Sequence, residues 1–206
     1  MTSRILIVDG HPDGRPERLC RQLSSAYAEG AIEAGHEIRR IDLATADFPW
    51  LKTHEDYENG TPPPFIADAQ GDIAWAGHVV FVLPIWLGTA PAIVKAFLEQ
   101  TMRPGFAREK PKAGETLGRK RMTGRSVRIV ATMGMPAIAY RLYFMQHGLA
   151  NMSDNILKFV GFAPVRWTLV GNLENPSAKR IAREVDAVRA LGRAAAAPPD
   201  LQGEVP

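Results

Sequence analysis

The chain has a single cysteine, Cys20, among its 206 residues. That excludes an internal disulfide and any Cys-x-x-Cys pair, and it suits a reducing, cytoplasmic setting. Long unbroken apolar runs are missing as well. Residues 73 to 94 carry no Lys, Arg, Asp or Glu, but Gly77, His78, Pro84, Gly88 and Pro91 interrupt them, which argues against a membrane span. Nor is the charge one-sided: 25 Lys and Arg against 22 Asp and Glu leave a net +3, with the two signs interspersed. No finger, RNP-like or KH-like pattern occurs, so nucleic acid is not an expected partner. The absence of HExxH and of any His/Cys cluster leaves no expected metal site, and neither a Walker pattern nor GxGxxG is found. "MTSRILIVDG" enters a strand almost at once, so no secretory signal is expected.

What is present is an ordinary soluble composition, 46% hydrophobic and 23% charged, in a chain long enough for one well-filled core. "RILIVD" reads as a buried strand, and Leu19, Leu23, Tyr27 and Ala34 follow at helical spacing to Gly35. "HEIRRIDL" alternates and reads as a strand nearer an edge. Residues 44 to 65, with Pro62-Pro63-Pro64, have no period and are expected as a long surface loop. A short helix over 66 to 76 leads into Val79–Leu83, an apolar run without alternation that reads as a strand buried on both faces. Pro84 should end its pairing, and Pro91 should open the next helix, with Val94, Phe97, Leu98 and Met102 buried. "SVRIVAT" and "PVRWTLV" supply two more strands. A last helix puts Ile181, Val185, Val188 and Leu191 on one face. Residues 1 to 193 are expected as one domain without internal repeats, and 194 to 206, "AAAAPPDLQGEVP", as a disordered tail.

Five βα units argue a three-layer α/β/α sandwich around a parallel sheet in the order 2-1-3-4-5. Such a sheet takes its ligand at the carboxyl ends of adjacent central strands. The exits of strands 1, 3 and 4 are "GHPDGRPERLC", "PIWLGTAP" and "TMGMPAIAY", all rich in Gly and Pro. The first enters a helix whose free N–H groups and dipole favour an anion, with His11, Arg15 and Arg18 adding donors. Equally, it is a plain connection with solvated arginines. The second offers Trp86 and the N–H groups of Leu87 to Thr89, although a lone Trp more often closes a core or a subunit contact. The third offers Thr132 and Gly134, and places Tyr140 and His147 seven apart, on nearby turns of one expected helix face.

Those three stretches, in order and spacing, resemble the NAD(P)H:quinone oxidoreductases of flavodoxin-like fold, from about residue 4 to residue 192. "PIWLGTAPAIVKAFLEQTMRPGFA" is the most specific. It resembles that family's Pro-Leu-Trp-Trp-Phe-Gly-x-Pro-Ala segment, which packs along the flavin ring, and "GFA" at Gly105–Ala107 matches too. The resemblance implies a bound flavin, FMN or FAD, with NAD(P)H as co-substrate, a quinone-like acceptor and a homodimer with contacts near Trp50 and Phe65. It places His11, Arg18, Leu19 and Cys20 beside the flavin phosphate and ribityl chain. Pro84, Ile85, Trp86, Leu87 and Gly88 then line the ring edge, and Thr132, Met133, Gly134 and Met135 its pyrimidine end. Tyr140 and His147 resemble the pair near the flavin carbonyl and are the implied catalytic residues. The sequence departs from the family where Ser or Thr and Asn usually stand in the first loop, and where the third loop often reads Thr-Thr-Gly-Gly. The same fold also implies two alternatives, a flavin-binding regulatory subunit of a potassium-efflux system and a flavodoxin-like electron carrier. The basic stretch 108 to 125 is expected as a mobile flap, either merely solvated or attracting a nucleotide phosphate.

Overall fold

In the computed structural model, which describes residues 2 to 195, five strands form one parallel sheet in the order β2-β1-β3-β4-β5. β1 (Arg4–Asp9), β3 (His78–Pro84) and β4 (Ser126–Thr132) are central, and β2 (Glu37–Asp42) and β5 (Val165–Val170) are the edges. Burial follows the sequence pattern. Every residue of β3 is buried, whereas β2 keeps four of its six residues at least partly open before Ile41 turns inward. Pairing does not stop at Pro84, which lies opposite Thr132, and Ile85 N–H still donates to Thr132 O at 2.7 Å. The side of Pro84 that lacks an N–H faces β1, whose pairing with β3 has already ended at Val82, so no bond is lost.

One face is covered by α1 (Leu19–Glu33) and α8 (Ala178–Arg193), which enclose Ile5, Ile7, Val80, Val82 and Val130. These helices meet through glycines. A Cβ on Gly30 would fall 2.0 Å from the Arg189 carbonyl oxygen, and one on Gly192 would fall 2.2 Å from that of Tyr27. The other face carries α3 (Pro64–Trp75) and α4 (Ala92–Thr101) over Leu6, Val8, Phe81, Leu83 and Ile129. α3 starts at Pro64, earlier than expected, because proline suits a first helical turn.

Two further expectations fail. The segment 44 to 65 contains α2 (His54–Asn59), capped by Thr53, whose hydroxyl accepts from Asp56 N–H. No residue of α2 is buried, so it leaves no apolar period to read. The buried Arg103 guanidinium ties it down by donating to Asp56 O and Gly60 O. Tyr140 and His147 do not share a helix either. α5 (Ala137–Leu142) ends, Met145 and Gln146 adopt φ of 49° and 56°, and α6 (His147–Ala150) begins a new helical run. That run continues through a π-helical segment, Asn151–Leu157, into α7 (Lys158–Val160). Among the described residues no helix is long and apolar enough to cross a membrane. The tail expected from 194 lies, beyond Ala195, outside the described residues.

Candidate functional site

The exits of β1, β3 and β4 meet at the carboxyl edge of the sheet. The β3 exit is a four-residue turn, closed by Trp86 N–H to Thr89 O at 2.8 Å and Thr89 N–H to Trp86 O at 3.1 Å. Its central residues, Leu87 and Gly88, have φ of 49° and 81°, the left-handed pair of a type I′ turn, which glycine accepts without strain. The turn pushes Leu87 fully into solvent and leaves Trp86 48% exposed, a poor place for large apolar groups with nothing to cover. The His11 ring stands edge-on to Trp86, 5.8 Å between centroids, so the first and second loops touch.

Tyr140 holds this turn from behind. Its ring is buried and its hydroxyl donates to Gly88 O at 2.9 Å, while burial raises the phenol above its usual range. Gly148 closes the same contact, since a Cβ there would lie 2.2 Å from Gly88 O. His147 is exposed beside it, at the start of α6. Residue 140 therefore reaches the turn itself, and 147 stands near its rim.

In the first loop the carboxylate of Asp13 gathers both arginines. It accepts from Arg15 Nε and Nη2 at 2.9 and 2.6 Å, and from Arg18 Nε and Nη2 at 2.6 and 2.5 Å. The hydrogen bond from Arg15 N–H, with the Arg15 guanidinium, holds Asp13 below the usual carboxylate range. Asp13 N–H in turn donates to His11 Nδ1 at 3.0 Å. α1 starts without a side-chain cap and without an acidic residue in its first turn, and among the described residues Leu19 and Cys20 N–H have no acceptor. Cys20 lies deeper, its Sγ 3.2 Å from Thr132 Oγ1, and burial pushes its thiol up to about 12. It stays a neutral thiol that joins α1 to β4 and is no nucleophile.

At the third loop Met133 N–H belongs to the ladder, donating to Val170 O at 2.9 Å, so the N–H groups of Gly134 and Met135 are the ones that remain open there. The Met133 side chain is buried in the core and Met135 packs against it. Gly134 is overhung by Glu174, whose Cγ would be 3.2 Å from a Cβ at that position. Beside the turn a cavity of about 510 Å³ is lined by Trp86, Leu87, Pro91, Val94, Leu98 and Met152. A larger one, about 730 Å³, continues along α4 past Lys95, Leu98 and Ile156 toward Arg108 and Leu117.

The three loops thus bring His11, Trp86, Leu87, Gly88 and Gly134 to one edge, with Leu19 and Cys20 N–H at its α1 end. Arg18 is adjacent but engaged on Asp13. Sequence reasoning missed Asp13, Gly148 and Glu174. It also missed a buried ionic group at the ends of β1 and β2, where Arg21 bridges Asp9 at 3.1 Å and Asp42 at 2.6 Å. Burial raises the Asp9 carboxyl, and its Oδ1 has no partner. The available signal was an acid ending each of two neighbouring strands, β1 and β2, with an arginine three residues into the intervening helix.

Comparison with known proteins agrees with this layout. A ribosyldihydronicotinamide dehydrogenase-like protein, traD of Penicillium crustosum, is 24% identical over 178 residues, covering 75% of this chain and 64% of that protein, so the chain spans less than two thirds of its relative's length. The NAD(P)H:quinone oxidoreductase from Methanothermobacter marburgensis superposes with TM-score 0.80 at 20% identity, over 95% of this chain and 98% of that one. An FMN-dependent NADH-azoreductase from Bacillus anthracis, solved with FMN, gives 0.75 at 14% identity over 96% and 100%. The Flavodoxin_2 pattern, described as flavodoxin-like fold, matches residues 3 to 191, and with a five-stranded parallel sheet in the order 2-1-3-4-5 the chain belongs to that family.

Proposed function

We propose that the chain is a flavin-dependent oxidoreductase that takes two electrons from NAD(P)H and passes them to a quinone or similar acceptor. One observation carries this: a half-exposed Trp86 on a tight turn, flanked by N–H groups of Leu87, Gly88 and Gly134 that no other described residue uses. A flat, hydrogen-bond-accepting ring fits that donor set. The free N–H groups of Leu19 and Cys20, at the start of a 15-residue helix, fit the phosphate of a flavin nucleotide.

Bound there, the flavin supplies hydride acceptance and two-electron delivery. This chain's residues hold and orient it. Trp86 and the turn from Pro84 to Gly88 give a platform, and Tyr140 fixes that platform through Gly88 O. Gly134 N–H and the exposed His147 ring are donors for negative charge at the ring's pyrimidine edge. The apolar cavity beside Trp86 suits an uncharged aromatic acceptor. Exposed Leu87, Leu142, Tyr143 and Met145, with Trp50, suit burial against a second copy, so a homodimer is proposed, checked by light scattering. Phe65, half-buried and stacked on Phe48 at 5.8 Å, offers less surface to that contact than Trp50 does. The test of function is NADH and NADPH oxidation with a water-soluble quinone. Turnover that depends on added FMN or FAD is expected, and no turnover with either nucleotide and flavin present contradicts the proposal.

A further inference from the structure

We propose that Asp13 is a built-in occupant of the phosphate end of the site, a carboxylate that a flavin phosphate must displace from Arg15 and Arg18 to gain full contact. The inference rests on the flavin assignment above. A guanidinium grips a carboxylate or a phosphate best with the edge made by Nε and one terminal nitrogen. In both arginines that edge is already turned onto Asp13, with four contacts between 2.5 and 2.9 Å. Neighbouring residues reinforce the closure. Pro16 has no N–H to offer, and Glu17 adds a second carboxylate, 4.0 Å from Arg15 Nε. Asp13 and Glu17 thus cancel Arg15 and Arg18, and the loop presents no net charge to an incoming dianion. What it leaves open is backbone N–H, that of Leu19 and Cys20 included.

Protonation is no way out of this lock, since the backbone N–H and guanidinium of Arg15 that hold Asp13 also keep it ionised. A phosphate must compete with it directly. The consequence is a site that holds the flavin by its ring and takes the nucleotide phosphate at a discount to its affinity, so riboflavin and FMN bind far more alike than they do where the loop is open. Removing the Asp13 charge frees two forks for the phosphate and nothing for the ring.

The experiment is titration calorimetry with FMN and with riboflavin on the full chain, for the wild type, Asp13→Asn, Arg15→Gln/Arg18→Gln, and the triple variant. Thermal unfolding of each variant checks the fold. The expected result is FMN binding about tenfold tighter in Asp13→Asn, the size of one charge-assisted contact. Riboflavin affinity stays within about twofold throughout. In the Arg15→Gln/Arg18→Gln background, Asp13→Asn brings no gain. Unchanged or weaker FMN binding in Asp13→Asn overturns the proposal. An equal gain without the arginines overturns it too, because the carboxylate then acts by plain repulsion. Those outcomes leave the flavin assignment standing. If no variant binds FMN or riboflavin, that assignment falls and takes this inference with it.

Discussion

Tyr140 stands behind the Trp86–Thr89 turn with its ring buried. Its hydroxyl is engaged on Gly88 O at 2.9 Å, so it reaches the site through the turn it fixes. Tyr140→Phe removes the partner of a partly buried carbonyl and should cost about 1 kcal/mol of stability. It should also slow flavin reduction by NAD(P)H in stopped flow, because the platform loosens. His147→Gln should leave stability unchanged and slow the same step about tenfold or more, as loss of a donor toward developing charge does. Wild-type reduction rates in both variants would remove both residues from the mechanism. A second residue, His78, gives a pH dependence. It is buried between the Tyr27 hydroxyl at 3.1 Å and Ser126 Oγ at 2.7 Å, and burial pushes it down from 6.5 to about 4. The folded state therefore keeps His78 neutral where the unfolded chain already takes up a proton. Its contribution is intact above pH 6.5 and is lost as pH falls toward 4, on the order of 3 kcal/mol in all. Urea unfolding at pH 7 and pH 5 should show this slope in the wild type and a smaller one in His78→Asn.

Among the elements, the crossing of α1 and α8 has no room at Gly30. Gly30→Ala should destabilise by about 1–3 kcal/mol, since its Cβ would meet the Arg189 carbonyl rather than a movable side chain. Gly71 in α3 has nothing within 4 Å, so Gly71→Ala should instead stabilise by about 0.5–1 kcal/mol. Denaturant midpoints that move in the same direction for both would contradict this packing account. The same contrast explains what was legible in the sequence. The strands could be read because burial on both faces leaves Val79–Leu83 without a polar residue, and edge exposure leaves β2 mixing Ile38 and Ile41 with charged residues. α2 was invisible because it buries nothing and is held by a cap and by Arg103. The break after Leu142 was invisible because positive φ at Met145 and Gln146 comes from tertiary fit, with no glycine to announce it. The three-loop site could be located from its Gly- and Pro-rich exits. Which N–H groups remain free could not, because partners such as Val170 O for Met133 are set by register across distant strands.

For the whole molecule, the arrangement amounts to a sheet whose middle strand, β3, is fully buried and whose exit presents a half-exposed Trp86 beside the three loops. Fold membership alone does not decide chemistry. The ring platform and the free N–H groups give the sheet edge its specific use, and the apolar surface around it gives the acceptor and a partner copy their place. The most direct test is equilibrium binding of FMN and FAD to the purified chain, followed by flavin absorbance and by quenching of tryptophan emission, in the wild type and in Trp86→Ala. The account predicts one flavin per chain, with a shifted visible band, and at least tenfold weaker binding when the Trp86 ring is removed, in line with the energy of an aromatic stacking contact plus its buried area. Wild-type chain that takes up neither flavin, or a Trp86→Ala variant that binds as tightly as the wild type, would contradict it.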